Sequence, residues 1–126
     1  MPRLRTLLAI AMTTALVACG GDDGGPEGSD DGSAFDITVS SGTRPTYTWS
    51  GGTGFSVSVV RTSAPGTIVW GIANPAKTIP ATVTHGTVPG GALQTSNAEP
   101  SLTPGVRYRV AVTRNDDKVG YKEFTP

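Results

Sequence analysis

From Phe35 onward, apolar and polar residues take turns along the chain. Phe35, Ile37 and Val39 fall on one side of an extended segment, with Asp36, Thr38 and Ser40 on the other. Tyr47 and Trp49 alternate with Thr46, Thr48 and Ser50, and Phe55, Val57 and Val59 with Ser56 and Ser58. The same period recurs at Ile68-Trp70-Ile72, Ile79-Ala81-Val83 and Val106-Tyr108-Val110-Val112, and Val119 and Tyr121 sit in a last short run. Runs of this length with a period of two, broken by Gly, Pro and Asn, predict half-buried antiparallel strands. Ser41-Gly42, Gly51-Gly52-Thr53-Gly54, Ala64-Pro65-Gly66, the corner from Pro100 to Gly105, and Asn115-Asp116-Asp117 supply the turns. About seven strands with no helical pattern predict an all-β, antiparallel two-sheet sandwich. Thr84 to Glu99 is the least regular stretch; it reads as a long loop, an irregular edge strand, or both.

The opening of the chain follows a different pattern. Arg3 and Arg5 precede an apolar run from Leu7 to Ala18, softened only by Thr13 and Thr14. That run is shorter than the roughly 20 residues a bilayer core requires, and a positive start before it reads as a secretory signal. Its end, Leu16-Val17-Ala18-Cys19, resembles the lipobox of bacterial lipoproteins. The resemblance implies a diacylglyceryl group on the Cys19 thiol, cleavage before Cys19, and acylation of the new amino group. Residues 1–18 are then the signal peptide, and several acyl chains anchor the rest stably where one would bind only marginally. Gly20 follows the acylated cysteine where Asp would retain such proteins at the inner membrane, so the resemblance favours the outer membrane.

Residues 19–34 form a linker by composition. Gly20 to Ala34 holds six glycines and five acids (Asp22, Asp23, Glu27, Asp30, Asp31) with no large apolar or basic side chain. Such a segment is expected to stay disordered, spanning roughly 20–25 Å and lifting the domain at 35–126 off the headgroups. The 126 residues include 17 glycines, 10 prolines and one cysteine, so no disulfide holds the exported domain. Net charge over the whole chain is zero, which gives no field toward nucleic acid.

Leu102-Thr103-Pro104-Gly105-Val106-Arg107-Tyr108-Arg109-Val110 resembles the E–F corner of fibronectin type III domains. In that corner a leucine plugs the core, Pro-Gly turns the chain, and a tyrosine hydroxyl bonds back to the corner backbone. Trp49 matches the tryptophan such domains bury, and Phe55-Ser56-Val57 is similar to the start of their third strand. The match covers Phe35 to Pro126. Thr84 to Glu99 departs from it, and the last hairpin loop carries Asn115-Asp116-Asp117 in place of an adhesive Arg-Gly-Asp. The resemblance implies an immunoglobulin-like sandwich that serves as an interaction module or spacer, and it carries no binding residues across.

Little else in the domain points to chemistry. His85, the only histidine, has no nucleophile or metal-ligating cysteine in a recognisable motif beside it and reads as a satisfied or exposed turn residue. Asp116-Asp117 lacks the further oxygen ligands of a calcium cage and reads as a solvated hairpin tip. No catalytic residue, metal or other cofactor is expected. Two features suggest a ligand surface. The domain from Phe35 carries eight bases against five acids, a net charge of +3. Arg107 and Arg109 point away from the core, and with Lys122 on a neighbouring strand they would form a basic patch for anionic polysaccharide, headgroups or the acidic linker. Trp70 faces the core if Ile68 and Ile72 set its side, and becomes a sugar-stacking platform on an edge strand of opposite facing.

The expected function is a membrane-anchored, non-catalytic interaction or spacer module of the cell envelope. The membrane is reached through the lipid on Cys19, and the further partner is an envelope protein or polysaccharide. A carbohydrate-binding module and an accessory subunit of an envelope assembly are the alternatives.

Overall fold

The longest uninterrupted alternation builds the most regular strand. Tyr108, Val110 and Val112 are fully buried while Arg109, Ala111 and Thr113 are not, and this segment is an interior strand of the larger of two sheets, paired on both sides. A computed structural model describes residues 32–126; the signal, Cys19 and the linker through Asp31 lie outside the described residues. In chain order the strands are β1 (Ile37–Val39), β2 (Thr46–Trp49), β3 (Gly54–Arg61), β4 (Ala64–Ala73), β5 (Thr82–Thr84), β6 (Leu93–Ser96), β7 (Tyr108–Arg114) and β8 (Val119–Phe124). The three-stranded sheet runs β1-β2-β5 and the five-stranded sheet β6-β4-β3-β7-β8, with every pairing antiparallel. The all-β, two-sheet expectation is met with eight described strands in place of about seven. The additional strand, β6, lies in the irregular stretch from Thr84 to Glu99 and pairs along β4 as a sheet edge.

The core lies between the sheets. Tyr47, Trp49 and Val83 come from the smaller sheet; Val57, Val59, Trp70, Ile72, Tyr108, Val110 and Val112 come from the larger, and Leu102 and Ile79 from connections. Trp49 donates its indole N–H to the Gly52 carbonyl at 2.9 Å, so the ring is buried with its polar atom paired. Leu102 is buried, and the Tyr108 hydroxyl accepts the Thr103 N–H at 2.9 Å across the Pro104-Gly105 turn.

Two bulges upset the period-two reading. Val59 pairs with Trp70 while Val60 pairs with Ile68, so Val69 is an extra residue on β4. Beyond an inserted residue the alternation changes phase. Trp70 and Ile72 therefore face the core, whereas Ile68 is 43% exposed on the opposite face. Phe55 is passed over between Gly54 and Ser56 where β3 pairs with β7, and it stays outside the buried core that Val57 and Val59 join. The turn expected at Ala64-Pro65-Gly66 falls one step earlier, at Thr62-Ser63, because Ala64 already pairs with Arg61.

The domain begins slightly before Phe35. Ala34 donates its N–H to the Val119 carbonyl at 2.9 Å, and the Ser33 hydroxyl accepts the Tyr121 N–H at 3.0 Å. These contacts satisfy part of the outer edge of β8, which would otherwise offer unpaired backbone groups. Phe35 then folds against Gly120, where an added Cβ would lie 2.6 Å from the ring, and the Arg114 guanidinium covers that ring at 4.3 Å.

Candidate functional site: the outer face of the five-stranded sheet

Residues paired across antiparallel strands share a face, so register alone assembles the outer surface. One cross-strand row reads Tyr121–Ala111–Ser58 and the next Glu123–Arg109–Val60–Ile68. Small side chains at Ala111 and Ser58 leave a trough; Tyr121, Arg109, Val60 and Ile68 stand around it. With Pro65 at one end they enclose a groove of about 250 Å³, open to solvent. The bulge at Val69 is what turns Ile68 outward to serve as a wall.

Arg109 is held in place by an aromatic contact. Its guanidinium lies 4.0 Å from the centroid of the Tyr121 ring. Such a stack fixes the plane of the fork while leaving its N–H groups pointing outward at the edges. Among the described residues the guanidinium has no hydrogen-bond acceptor or ion-pair partner.

The predicted basic patch does not form. Lys122 pairs with Val110, a core position, and so lies on the inner side of β8, opposite Arg109. Gly120, Lys122 and Phe124 are the inward positions of this strand and Val119, Tyr121 and Glu123 the outward ones, the reverse of the phase that would have placed Lys122 beside the arginines. Arg107 is exposed but paired, with its Nε 3.0 Å from Glu123 Oε1. Of the three bases, only Arg109 is free within the groove. Trp70 is not a platform either. It is fully buried, tilted against His85 at 4.7 Å and near Tyr47 at 6.4 Å. Its indole N–H has no acceptor among the described residues. The sequence reading put Tyr121 and Ile68 on the apolar side and singled out neither Val60 nor Ser58, although Ser58 fell on the polar side of its strand; setting the phase of β8 from Phe124 would have exposed Tyr121.

Elsewhere the polar side chains are committed to one another. His85 is fully buried with both ring nitrogens bonded: Nε2 lies 2.7 Å from the Glu99 carbonyl and Nδ1 2.8 Å from the Tyr47 hydroxyl. A carbonyl only accepts, so Nε2 carries the proton and Nδ1 accepts from Tyr47. Burial holds the imidazole pKa below its ordinary 6.5, favouring this neutral form. Burial also raises the Tyr47 phenol, reinforced by nearby Tyr108.

Glu99 joins three elements on the same side of the core. Its carboxylate takes a bidentate bond from Arg61 at 2.8 and 3.0 Å, and the Tyr108 hydroxyl donates to it at 2.8 Å. The Arg61 bonds lead the lowering of its pKa, with the Tyr108 bond adding to them against the opposing effect of burial.

At the hairpin between β7 and β8, Arg114 grips Asp116 at 3.2 and 2.7 Å and donates to the Ser50 carbonyl at 2.7 Å. The Arg114 bonds push the Asp116 carboxyl down to about 2. Asp117 meets Lys77 at 3.1 Å. Both aspartates of the tip therefore already have cationic partners. Among the described residues no group of three His, Cys, Asp or Glu gathers as a metal site, and no helix is long and apolar enough to cross a membrane.

No protein-family model, no curated protein and no solved structure matches the chain.

Proposed function

We propose that the protein is a lipid-anchored cell-envelope protein whose domain, of fibronectin type III kind, acts as a binding module or spacer without catalysis. The observation that carries this reading is the contrast in side-chain use. His85, Glu99, Asp116 and Asp117 are spent on bonds inside the domain, while Arg109 and Tyr121 frame an open groove on a sheet face. The buried Leu102, the buried Trp49 and the Tyr108–Thr103 bond support the fibronectin type III reading. Anchoring rests on Leu16-Val17-Ala18-Cys19 and the acidic, Gly-rich segment behind it, and Gly20 favours delivery to the outer membrane. Metabolic labelling with an azide fatty acid tests the anchor: label in the wild type and none in Cys19→Ser is expected. Equal labelling of both, or release of the wild type as a soluble periplasmic protein, contradicts it.

A second reading, a carbohydrate-binding module, is supported by the groove alone. Trp70 is buried and lends it nothing; its support is the groove beside Tyr121, where apolar walls and an unpaired guanidinium meet.

A further inference from the structure

We infer that the groove between Arg109 and Ile68 is a subsite for a uronic acid unit of an acidic polysaccharide, an inference that rests on the binding-module reading above. Three features of the groove select that chemistry. A pyranose ring has apolar C–H faces, and Val60, Ile68, Ala111 and Pro65 offer an apolar floor and wall to receive one. A ring-borne carboxylate matches the guanidinium fork, which donates two parallel hydrogen bonds to it when its plane is fixed. Arg109 has that fixed plane through Tyr121 and no competing acceptor among the described residues. Ser58 places a hydroxyl at the floor for a ring hydroxyl.

The shape and the charges argue for a polymer over a detached acid. The groove lies on an open strand surface, not within a closed cavity, so neighbouring sugar units can continue past it. At about 250 Å³ it has room for one ring. The charge is complementary as well: the domain from Phe35 is net +3, and Arg107 borders the same outer face, although Glu123 already engages it. One charge-assisted contact on an exposed face gives weak, salt-sensitive binding, and repetition along a polymer raises it by avidity.

The test uses the full-length protein purified from membranes in a zwitterionic detergent, with fluorescence anisotropy of end-labelled probes. Hexagalacturonate supplies rings and carboxylates, its methyl ester supplies rings without charge, and hexaglutamate supplies carboxylates without rings. Hexagalacturonate is expected to bind best, with the ester and hexaglutamate each weaker by about tenfold or more. Arg109→Gln is expected to bring hexagalacturonate down to the level of the ester, and Arg109→Lys to fall between, since it keeps the charge and loses the fork. Equal binding of hexaglutamate and hexagalacturonate would overturn the sugar assignment while leaving a binding module with a different, anionic partner. Binding unaffected by either Arg109 variant, or no binding of hexagalacturonate at low salt, would overturn the subsite itself. Neither result touches the anchor, which the Cys19 labelling decides separately.

Discussion

The two faces of the five-stranded sheet are made from the same strands and serve opposite ends. On the inner face, Val57, Val59, Trp70, Ile72, Tyr108, Val110 and Val112 are large, apolar and closed off by the smaller sheet. On the outer face, Ser58, Ala111 and Tyr121 sit beside Val60, Ile68 and Arg109, and the mix of small and large side chains leaves a groove. Burial governs the first: each inward side chain contributes apolar area and fills volume that its loss would leave empty. Shape and unsatisfied donors govern the second, where truncation changes what the surface presents while the core stays filled. The difference teaches that packing and surface shape are separable here, one residue apart along each strand, which is what the proposed binding role requires.

The largest effect is expected from the inner face. Trp70→Ala removes a fully buried ring that touches both His85 and Tyr47, and is expected to cost about 3–5 kcal/mol in urea titration. With no disulfide to compensate, a loss of that size is a large share of the 5–15 kcal/mol typical of a domain, roughly a third. A loss under about 1 kcal/mol would break the comparison, because it would mean the ring is not packed between the sheets.

Next in size are the polar ties at the two ends. Glu99→Ala leaves Arg61 and the Tyr108 hydroxyl without their shared acceptor, for an expected cost of about 1–3 kcal/mol. Gly51→Ala is expected to cost a similar amount, about 1–3 kcal/mol. Gly51 has φ +92°, and a Cβ there would collide with the Arg114 guanidinium that reaches the Ser50 carbonyl. Thermal or urea unfolding of each variant against wild type measures both.

Acid is expected to loosen the inner face in two stages. His85 is held neutral when folded, with a pKa below 6.5, so the unfolded chain takes up its proton first as pH falls. Its contribution is fully present above about 6.5 and declines below that value. Glu99 has a folded pKa below 4.5, so the stability it adds holds above that value and is lost as pH falls through its folded pKa. Unfolding midpoints measured from pH 8 to 3 should fall throughout the acid limb; a midpoint that rises between pH 6.5 and 5 would contradict a buried neutral imidazole.

How much of this was legible in the sequence divides along the same two faces. Val106 to Val112 showed its inward side plainly because every second residue is large and apolar, and Leu102, Trp49 and Tyr108 are buried as expected. The outer face was harder to read because its phase depends on features that alternation does not encode. One extra residue at Val69 turned Ile68 outward, and in β8 the inward positions include Gly120 and Lys122, which do not look like core. Gly120 is small because Phe35 occupies the space its side chain would need. That reason lies 85 positions away in the chain, beyond what a local pattern can display. His85 was recognised as structural, but its placement between Tyr47 and Trp70 depended on folding the irregular Thr84 to Glu99 stretch.

The smallest stability effects are expected on the outer face. Arg109→Gln and Ile68→Ser are each expected to stay within about 0.5 kcal/mol of wild type, the usual range for surface positions outside special contacts. Urea midpoints that shift by several times that amount would mean the groove residues hold the fold and the division between faces is false.

The central claim, that recognition belongs to the outer face and not to the general positive charge of the domain, is tested most directly by two charge reversals. Arg109→Glu and Lys122→Glu change net charge equally but act on opposite sides of the sheet. Binding of end-labelled hexagalacturonate to the two full-length variants is the measurement. Arg109→Glu is expected to lose binding and Lys122→Glu to keep it within about twofold, since screening confines such effects to about 10 Å at 0.1 M salt. Equal losses in the two variants would contradict the account.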